Sequence, residues 1–312
     1  VIIRKVSNME DKKEKLPSIN INWYPGHMAK TKREIIEDLK LIDVVIEILD
    51  ARIPISSQNP DIKNIIAKKK KIILLNKCDL ADEAETKKWK ENFEKNGQAV
   101  VLVNGNDGKG INQVISKIEE VMKDEIEANE KKGRVGKIIR VLILGIPNVG
   151  KSSFINRVSK KTTAKVGNKP GVTVQKQWIR VAKNIELLDT PGVLWPKFES
   201  DEVGLKLSFT GSIKDDILDK EEIAFYLLKY LLENYLDLLC KKYDLNKEEI
   251  QEKADTYDDK NEVILETMEQ IGKRRGALVS GGRVDNKKVS NLLLQDFREA
   301  KIGRITLEKV EN

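Results

Sequence analysis

The order of four short polar motifs most constrains the fold of this chain. The first, Asn76-Lys77-Cys78-Asp79, follows the apolar run Ile72-Ile73-Leu74-Leu75. The glycine-rich stretch Gly145-Ile146-Pro147-Asn148-Val149-Gly150-Lys151-Ser152 comes later, then Pro170-Gly171-Val172-Thr173, and last Asp189-Thr190-Pro191-Gly192. Continuous apolar runs that alternate with helical patterns predict a mostly parallel sheet covered by helices on both faces. The expected fold class is therefore α/β, with polar motifs at strand ends.

The glycine-rich stretch has the pattern GxxxxGK[ST], which is typical of a phosphate-binding loop. Its glycines let backbone N–H groups approach phosphates, Lys151 reaches the β and γ oxygens, and Ser152 ligates Mg²⁺. Taken alone, the pattern also fits an ATP enzyme or a plain strand–turn–helix. The predicted phosphate contacts in this loop are Asn148, Val149, Gly150, Lys151, Ser152 and Ser153.

Two further motifs favour a nucleoside triphosphate. Asp189 can hold Mg²⁺ through a water molecule, and the Gly192 N–H can sense a γ-phosphate. Thr173 is a candidate switch threonine, which would ligate Mg²⁺ only while the γ-phosphate is present.

The tetrad that starts at Asn76 indicates the base. The Asp79 carboxylate can accept two hydrogen bonds from guanine N1 and N2, which adenine cannot offer, whereas Asn76 and Lys77 complete the motif. Asn104-Gly105, at the end of the next predicted strand, fits the loop that supports the guanine ring. The alternative is a polar turn at a strand exit.

The motif order differs from that of an ordinary GTPase, which runs phosphate loop, switch threonine, DxxG and then NKxD. Here NKxD comes first, so the chain resembles a circularly permuted P-loop GTPase. The permutation places Tyr24-Pro25-Gly26-His27-Met28 near DxxG and the γ-phosphate. DxxG is followed by Val193, which cannot orient water as a glutamine does. His27, the single histidine, is the candidate catalytic residue; packing or capping is the alternative role.

The helical pattern beyond about residue 205 predicts a small all-α domain after the GTPase domain. We expect a flexible lead-in over residues 1–20, a GTPase domain over 21–200 and a helical RNA- or ribosome-binding domain over 205–312. Helices are predicted over residues 111–123, from Asp219 to Leu239 and over residues 286–302. A charged connection is predicted over residues 124–137. No membrane span or export signal is visible, and the two isolated cysteines suit a reducing cytoplasm.

Positive charge is concentrated near the C-terminus. The net charge is +7, and residues 273–304 hold nine Lys or Arg against three Asp or Glu. Such a cluster indicates an anionic partner, although a solvated charged face would look the same. The predicted RNA contacts are Lys273, Arg274, Arg275, Lys287, Arg298 and Lys301.

Taken together, residues 21–312 resemble the bacterial ribosome biogenesis GTPase A family. The resemblance rests on Trp23-Tyr24-Pro25-Gly26-His27-Met28-Ala29-Lys30, on Asp50-Ala51-Arg52-Ile53-Pro54, on the permuted motifs and on Gly281-Gly282 before the final helix. It implies GTP and GDP as ligands, Mg²⁺ as cofactor and slow hydrolysis that the large ribosomal subunit stimulates. It also implies a precursor of that subunit and its rRNA as partners.

The resemblance further implies a catalytic role for His27 and a potassium ion at Asn148. We expect a cytoplasmic switch in late assembly of the large (50S) subunit, monomeric off the ribosome. The alternative is a constitutive RNA-binding scaffold whose nucleotide is structural. A metabolic ATP enzyme is disfavoured by Asp79.

Overall fold

The computed structural model describes residues 26–105, 107–159, 177–195, 198–257 and 259–310. These residues form two compact units. The sheet unit holds the described residues up to Phe198 together with those from Thr306 onward, and the helical unit holds Glu199–Ile305. The expected helical domain was to include residues 306–312. The described part of that segment instead packs with the sheet unit.

The sheet unit is built on a six-stranded sheet in the order β3-β2-β1-β4-β6-β5. All neighbouring strands are parallel except β5 and β6, which form an antiparallel pair. This agrees with the expected mostly parallel sheet. The strands are β1 Val44–Asp50, β2 Lys70–Asn76, β3 Ala99–Leu102, β4 Ile139–Leu144, β5 Gln177–Ala182 and β6 Ile185–Asp189.

The strands in the middle of the sheet are rich in apolar residues because both of their faces are covered. Every residue of β1 is buried, and the last five of β2 are buried as well. The helices of this unit are α1 Gly26–Asp38, α2 Pro60–Ile65, α3 Glu83–Lys95, α4 Ile111–Lys131 and α5 Lys151–Val158. A 3₁₀ turn, Leu39–Leu41, follows α1.

Residues 306–310 form a segment that we call the return segment, because it lies on the sheet unit although the preceding residues belong to the helical unit. The Leu307 N–H donates to the Arg52 carbonyl (2.8 Å), and the Asp82 N–H donates to Thr306 Oγ1 (3.0 Å). The return segment therefore runs between the loop after β1 and the start of α3.

The helical unit contains α6 Asp201–Phe209, α7 Lys220–Asn234, α8 Leu236–Tyr243, α9 Lys247–Thr256, α10 Lys260–Arg274 and α11 Asn286–Arg298. Side-chain caps begin several of them: Asp219 accepts from the Glu221 and Glu222 N–H groups at α7. The buried faces of α7, α10 and α11 form the core of this unit.

Three predicted helices differ from the observed ones. The helix that starts at Ile111 continues to Lys131 rather than ending at Lys123, so much of the expected connection is helical. The helix after Asp219 is interrupted at Tyr235, which has non-helical dihedrals, and divides into α7 and α8. The final helix ends at Arg298 rather than near Ile302. No helix in the described ranges is long and apolar enough to span a membrane.

Candidate nucleotide site

The register of the sheet brings the motifs to one edge. Asp50 lies opposite Asn76 at the carboxyl ends of β1 and β2, and Ile143 lies opposite Asp189 on β4 and β6. The phosphate loop begins directly after β4. Motifs far apart in sequence therefore follow adjacent parallel strands, the usual place for a ligand in such a sheet.

Asn76 joins three of these segments through one buried amide. Its Nδ2 donates to the Val149 carbonyl (2.7 Å), and its Oδ1 accepts from the Gly105 N–H (3.0 Å). The predicted base tetrad, the phosphate loop and the Asn104-Gly105 loop are thus tied together by a single side chain. Asp79 is exposed, so its carboxylate is accessible to a ligand.

The phosphate loop has the backbone of an anion cradle. Asn148 (φ 56°) and Gly150 (φ 98°) both have left-handed dihedrals, and Gly150 is the N-cap of α5. Lys151, Ser152 and Ser153 form the first turn of that helix, where unpaired N–H groups favour bound anions. A non-glycine residue with positive φ is uncommon, and such backbone strain is frequent at ligand sites.

Lys151 is buried and bonded to its own loop. Its Nζ donates to the carbonyls of Gly145 (3.0 Å) and Ile146 (2.8 Å). Burial lowers the pKa of Lys151 to about 8, although the Asp189 charge opposes that effect. A phosphate at the loop would offer this ammonium the anionic partner that the carbonyls only partly replace.

The DxxG segment runs close to the phosphate loop. A Cβ added to Gly192 would lie 2.8 Å from backbone atoms of Pro147 and 2.9 Å from Lys151 Nζ. Only glycine allows this approach without displacement. The Gly192 N–H is therefore on a segment in direct contact with the loop that would hold the phosphates.

Asp189 supplies oxygen donors that suit Mg²⁺. Within the described part of the chain, neither carboxylate oxygen has a hydrogen-bond partner of normal geometry, although both are buried. Burial raises the pKa of Asp189 to about 6, against the lowering effect of Lys151 and the Thr190 N–H. Because Mg²⁺ binds hard oxygen ligands, this carboxylate and the Ser152 hydroxyl fit the ion by their chemistry.

Val193 occupies the position where many GTPases carry a catalytic glutamine. Its side chain is buried, its N–H donates to the Gly145 carbonyl (3.4 Å), and its carbonyl accepts from Asn59 Nδ2 (3.0 Å). Val193 and Pro191 line a small crevice together with Ile35 of α1. The helix that begins near His27 thus passes beside the DxxG segment. Thr173 and the His27 side chain lie outside the described residues.

An ion-pair cluster of Asp50, Arg52 and Lys77 holds the lysine of the predicted base tetrad. Asp50 accepts from Arg52 Nη2 (2.7 Å) and Nε (2.9 Å) and pairs with Lys77 Nζ (3.0 Å). Burial alone would raise the pKa of Asp50, but the charges of Arg52 and Lys77 hold it well below its usual range. Lys77 itself has left-handed dihedrals (φ 59°). Asp50 and Arg52 entered the sequence analysis only as part of the motif Asp50-Ala51-Arg52-Ile53-Pro54 that carries the family resemblance, and neither was assigned a role.

The predicted RNA contacts belong to the helical unit, and most of them are exposed. Lys273 pairs with Glu269, Arg274 with Asp244 and Lys301 with Glu299, whereas Arg275 lies over the Tyr243 ring (5.3 Å). Lys287 is exposed near the start of α11. These cations lie on the surface of the unit.

Arg298 corrects one prediction, because its guanidinium is not presented to solvent as a free cation. It donates to the Phe209 and Ser208 carbonyls (3.0 and 2.9 Å) and pairs with Asp215 (2.9 Å). It was predicted as an RNA contact of the basic cluster near the C-terminus, but its guanidinium donates to carbonyls at the end of α6. Arg298 is a structural residue of the helical unit.

The fold and site define a circularly permuted P-loop GTPase. Profiles described as "50S ribosome-binding GTPase" and "RsgA GTPase" match residues 140–268 and 63–199. Ribosome biogenesis GTPase A of Bacillus licheniformis is 48% identical over 94% of this chain and 99% of its own; that of Bacillus pumilus is 47% identical over 94% and 100%. A GDP-bound YlqF structure aligns with a TM-score of 0.62 at 27% sequence identity, and the alignment covers 90% of this chain and 100% of that one. The chain belongs to the ribosome biogenesis GTPase A family and hydrolyses GTP.

Proposed function

We propose that this GTPase is a switch in late assembly of the large ribosomal subunit, which it binds in the GTP state and leaves after hydrolysis. The observation that carries the proposal is the Asn76 amide, which holds base tetrad, phosphate loop and the 104–105 loop in one site. The two Bacillus relatives are both named ribosome biogenesis GTPase A, which supports the assembly role.

In this proposal the nucleotide lies along the sheet edge. Asp79 receives guanine N1 and N2, while Lys77 and the 104–105 loop flank the ring. The phosphates lie on the N-terminus of α5 against Lys151, with the Gly192 N–H facing the γ-phosphate. Ser152, Thr173 and, through water, Asp189 would hold Mg²⁺, which would supply positive charge to the phosphate oxygens.

In this proposal GTP hydrolysis without a partner is slow, because the side chain of Val193 offers no polar atom to the attacking water. His27, at the start of α1, is assigned to orient that water once the large subunit is bound. Asn148, held at positive φ in the phosphate loop, is assigned as a ligand of K⁺. The support for His27 is indirect: Ile35 of the same helix lines a crevice with Pro191 and Val193.

The helical unit is the proposed rRNA-binding surface, through Lys273, Arg274, Arg275, Lys287 and Lys301. These side chains suit phosphate contacts, whose strength falls steeply as salt increases. Off the subunit we expect a cytoplasmic monomer. The competing hypothesis, a constitutive RNA-binding scaffold with a structural nucleotide, predicts subunit binding that does not depend on the nucleotide state.

GTP turnover tests the proposal. Turnover is measured alone, with isolated small subunits and with isolated large subunits, each in potassium and in sodium buffer. We expect strong stimulation by large subunits in potassium only. Equal, slow turnover under all conditions would refute subunit-stimulated hydrolysis and favour the scaffold.

Two variants separate the parts of the proposal. Lys151→Ala should lower stimulated turnover by about 10²–10³-fold, since it removes a charge aimed at the phosphates. His27→Ala should lose the stimulation by large subunits but keep GDP affinity. A His27→Ala protein with full stimulation would remove that residue from the mechanism and leave the switch intact.

A further inference from the structure

We infer that the return segment, residues 306–310, positions the base-recognition lysine Lys77 through Arg52 and Asp50, and so sets guanine nucleotide affinity. The inference rests on the proposed placement of guanine at the tetrad. It assigns Glu308, Arg52 and Asp50 as positioning residues for the site.

Glu308 anchors the return segment to the loop that follows β1. Its carboxylate accepts from the N–H groups of Ile55 (2.6 Å) and Ser56 (3.1 Å) and from the Ser56 hydroxyl. The glutamate is buried, with 7% exposure. A buried carboxylate with three donors is a charge-assisted anchor that fixes backbone, because losing any donor leaves charge unsatisfied.

The neighbouring residue fixes Arg52. The Leu307 N–H donates to the Arg52 carbonyl (2.8 Å), and the Arg52 guanidinium is held by Asp50 on the other side. Arg52 is 1% exposed. The backbone of this arginine is therefore set by the return segment, and its side chain by the acid that also pairs with Lys77.

Asp50 links Arg52 to Lys77. It is fully buried at the end of β1, opposite Asn76, and its Oδ2 lies 3.0 Å from Lys77 Nζ. The backbone of Lys77 has left-handed dihedrals, and the ion pair with Asp50 holds its side chain in one position. Arg52 in turn prevents Asp50 from turning away.

The return segment also flanks the other side of the tetrad. Trp89 Nε1 donates to the Glu308 carbonyl (2.8 Å), and Val310 packs against the apolar cluster of Trp89, Phe93 and Ala81. Cys78, the third residue of the tetrad, packs against the same cluster. The return segment thus contacts both the loop after β1 and the apolar cluster against which Cys78 packs.

The nucleotide affinity of the 312-residue chain tests whether the return segment positions Lys77. The variant Glu308→Gln keeps an acceptor for one backbone N–H but presents an amide N–H₂ to another donor. GDP dissociation constants are measured for this protein, for Lys77→Ala and for the double variant. The matched control is Glu91→Gln, an exposed glutamate on α3, the helix that carries Trp89.

We expect Glu308→Gln to weaken GDP binding about fivefold or more and Glu91→Gln to leave it unchanged. The two substitutions should be non-additive: in the Lys77→Ala background, Glu308→Gln should change affinity by less than about twofold. A purely structural segment would lower the midpoint of thermal unfolding without this coupling, so additive effects on GDP affinity would overturn the inference.

A second pair of variants, which change a neutral side chain, keeps the test valid if Glu308→Gln fails to fold. Thr306→Val removes the acceptor of the Asp82 N–H, and Thr306→Ser restores it; the serine protein should recover affinity that the valine protein loses. If Lys77→Ala leaves GDP affinity intact, the placement of guanine fails. If Lys77→Ala weakens GDP binding but Glu308→Gln and Thr306→Val do not, only the role of the return segment fails.

Discussion

The base side and the phosphate side of the site differ in how fully the protein satisfies their polar groups. On the base side, Asn76 uses both amide atoms and Asp50 has Arg52 and Lys77 as partners. On the phosphate side, among the described residues, Lys151 donates to two carbonyls of its own loop, and neither carboxylate oxygen of Asp189 has a hydrogen-bond partner of normal geometry. The protein therefore satisfies the polar groups of the predicted base side by its own contacts, whereas on the predicted phosphate side we expect a bound nucleotide and Mg²⁺ to do so.

The largest effect is expected at Asp50. Asp50→Ala would leave the buried Arg52 guanidinium and the half-buried Lys77 ammonium without their acid, which should lower the free energy of unfolding by about 3–5 kcal/mol. Urea unfolding measures it. The matched control is Asp61→Ala, whose partner Lys32 lies 2.6 Å away but whose side chain is 36% exposed, and it should cost at most about 1 kcal/mol. Equal losses would show that the base side is not preorganised by burial.

Gly150 is where the two sides touch. An alanine Cβ there would lie 2.3 Å from Asn76 Nδ2, in a residue with φ of 98°. Gly150→Ala should cost about 2–3 kcal/mol of unfolding free energy and weaken GDP binding about tenfold, since strain and a lost hydrogen bond combine. Gly133→Ala is the control: φ is 72°, but nothing lies within 4 Å. It should show the backbone strain alone, with GDP affinity unchanged.

A smaller change tests the Asn76 amide directly. Asn76→Asp keeps the acceptor for Gly105 but places an oxygen against the Val149 carbonyl, so it should cost about 1–3 kcal/mol in GDP binding free energy. Asn96→Asp replaces an exposed amide that donates to the Asn92 carbonyl (2.9 Å) and should change nothing measurable. GDP titration compares the two. Normal affinity in Asn76→Asp would mean that the three segments are held by other contacts.

The smallest effect is a pH dependence. The pKa of Asp50 is lower in the folded than in the unfolded chain, so its stabilisation is present above the unfolded value and is lost as pH falls below it. From pH 5 to pH 3 the wild type should lose about 1 kcal/mol more unfolding free energy than Asp50→Asn. Parallel urea titrations at both pH values measure this difference. Identical losses would place the pKa of Asp50 near its ordinary value.

The sequence predicted the parts of the fold that depend on local pattern. The apolar runs of β1, β2 and β4 were visible because both faces of a parallel sheet are buried. The charged residues after Lys123 hid the rest of α4, because a solvent-facing final stretch and a linker have the same composition. Arg298 was assigned to the RNA contacts because it lies in the basic cluster, and the sequence does not show that carbonyls of α6 accept from its guanidinium.

The candidate site was predicted as a set of motifs but not as a connected structure. The GxxxxGK[ST], NKxD and DxxG patterns each indicate a chemistry, so Lys151, Asp79 and Asp189 were predicted as site residues from the sequence alone. The contacts of Asn76 with Val149 and Gly105 could not, because they depend on strand order. Glu308 gave no signal at all, since a single acid in a polar C-terminal stretch matches any solvated residue.

The return segment also has a consequence for the order of folding. The bond from the Ser56 N–H to Glu308 joins residues 252 positions apart. Contacts of such high sequence separation form late, because a long loop must close before they contribute, and a chain emerges from synthesis in order. β1, β2 and the tetrad are made early, yet the anchor of their loop is made only when residues 306–310 are present. The base pocket would thus mature last, after the helical unit has been synthesised.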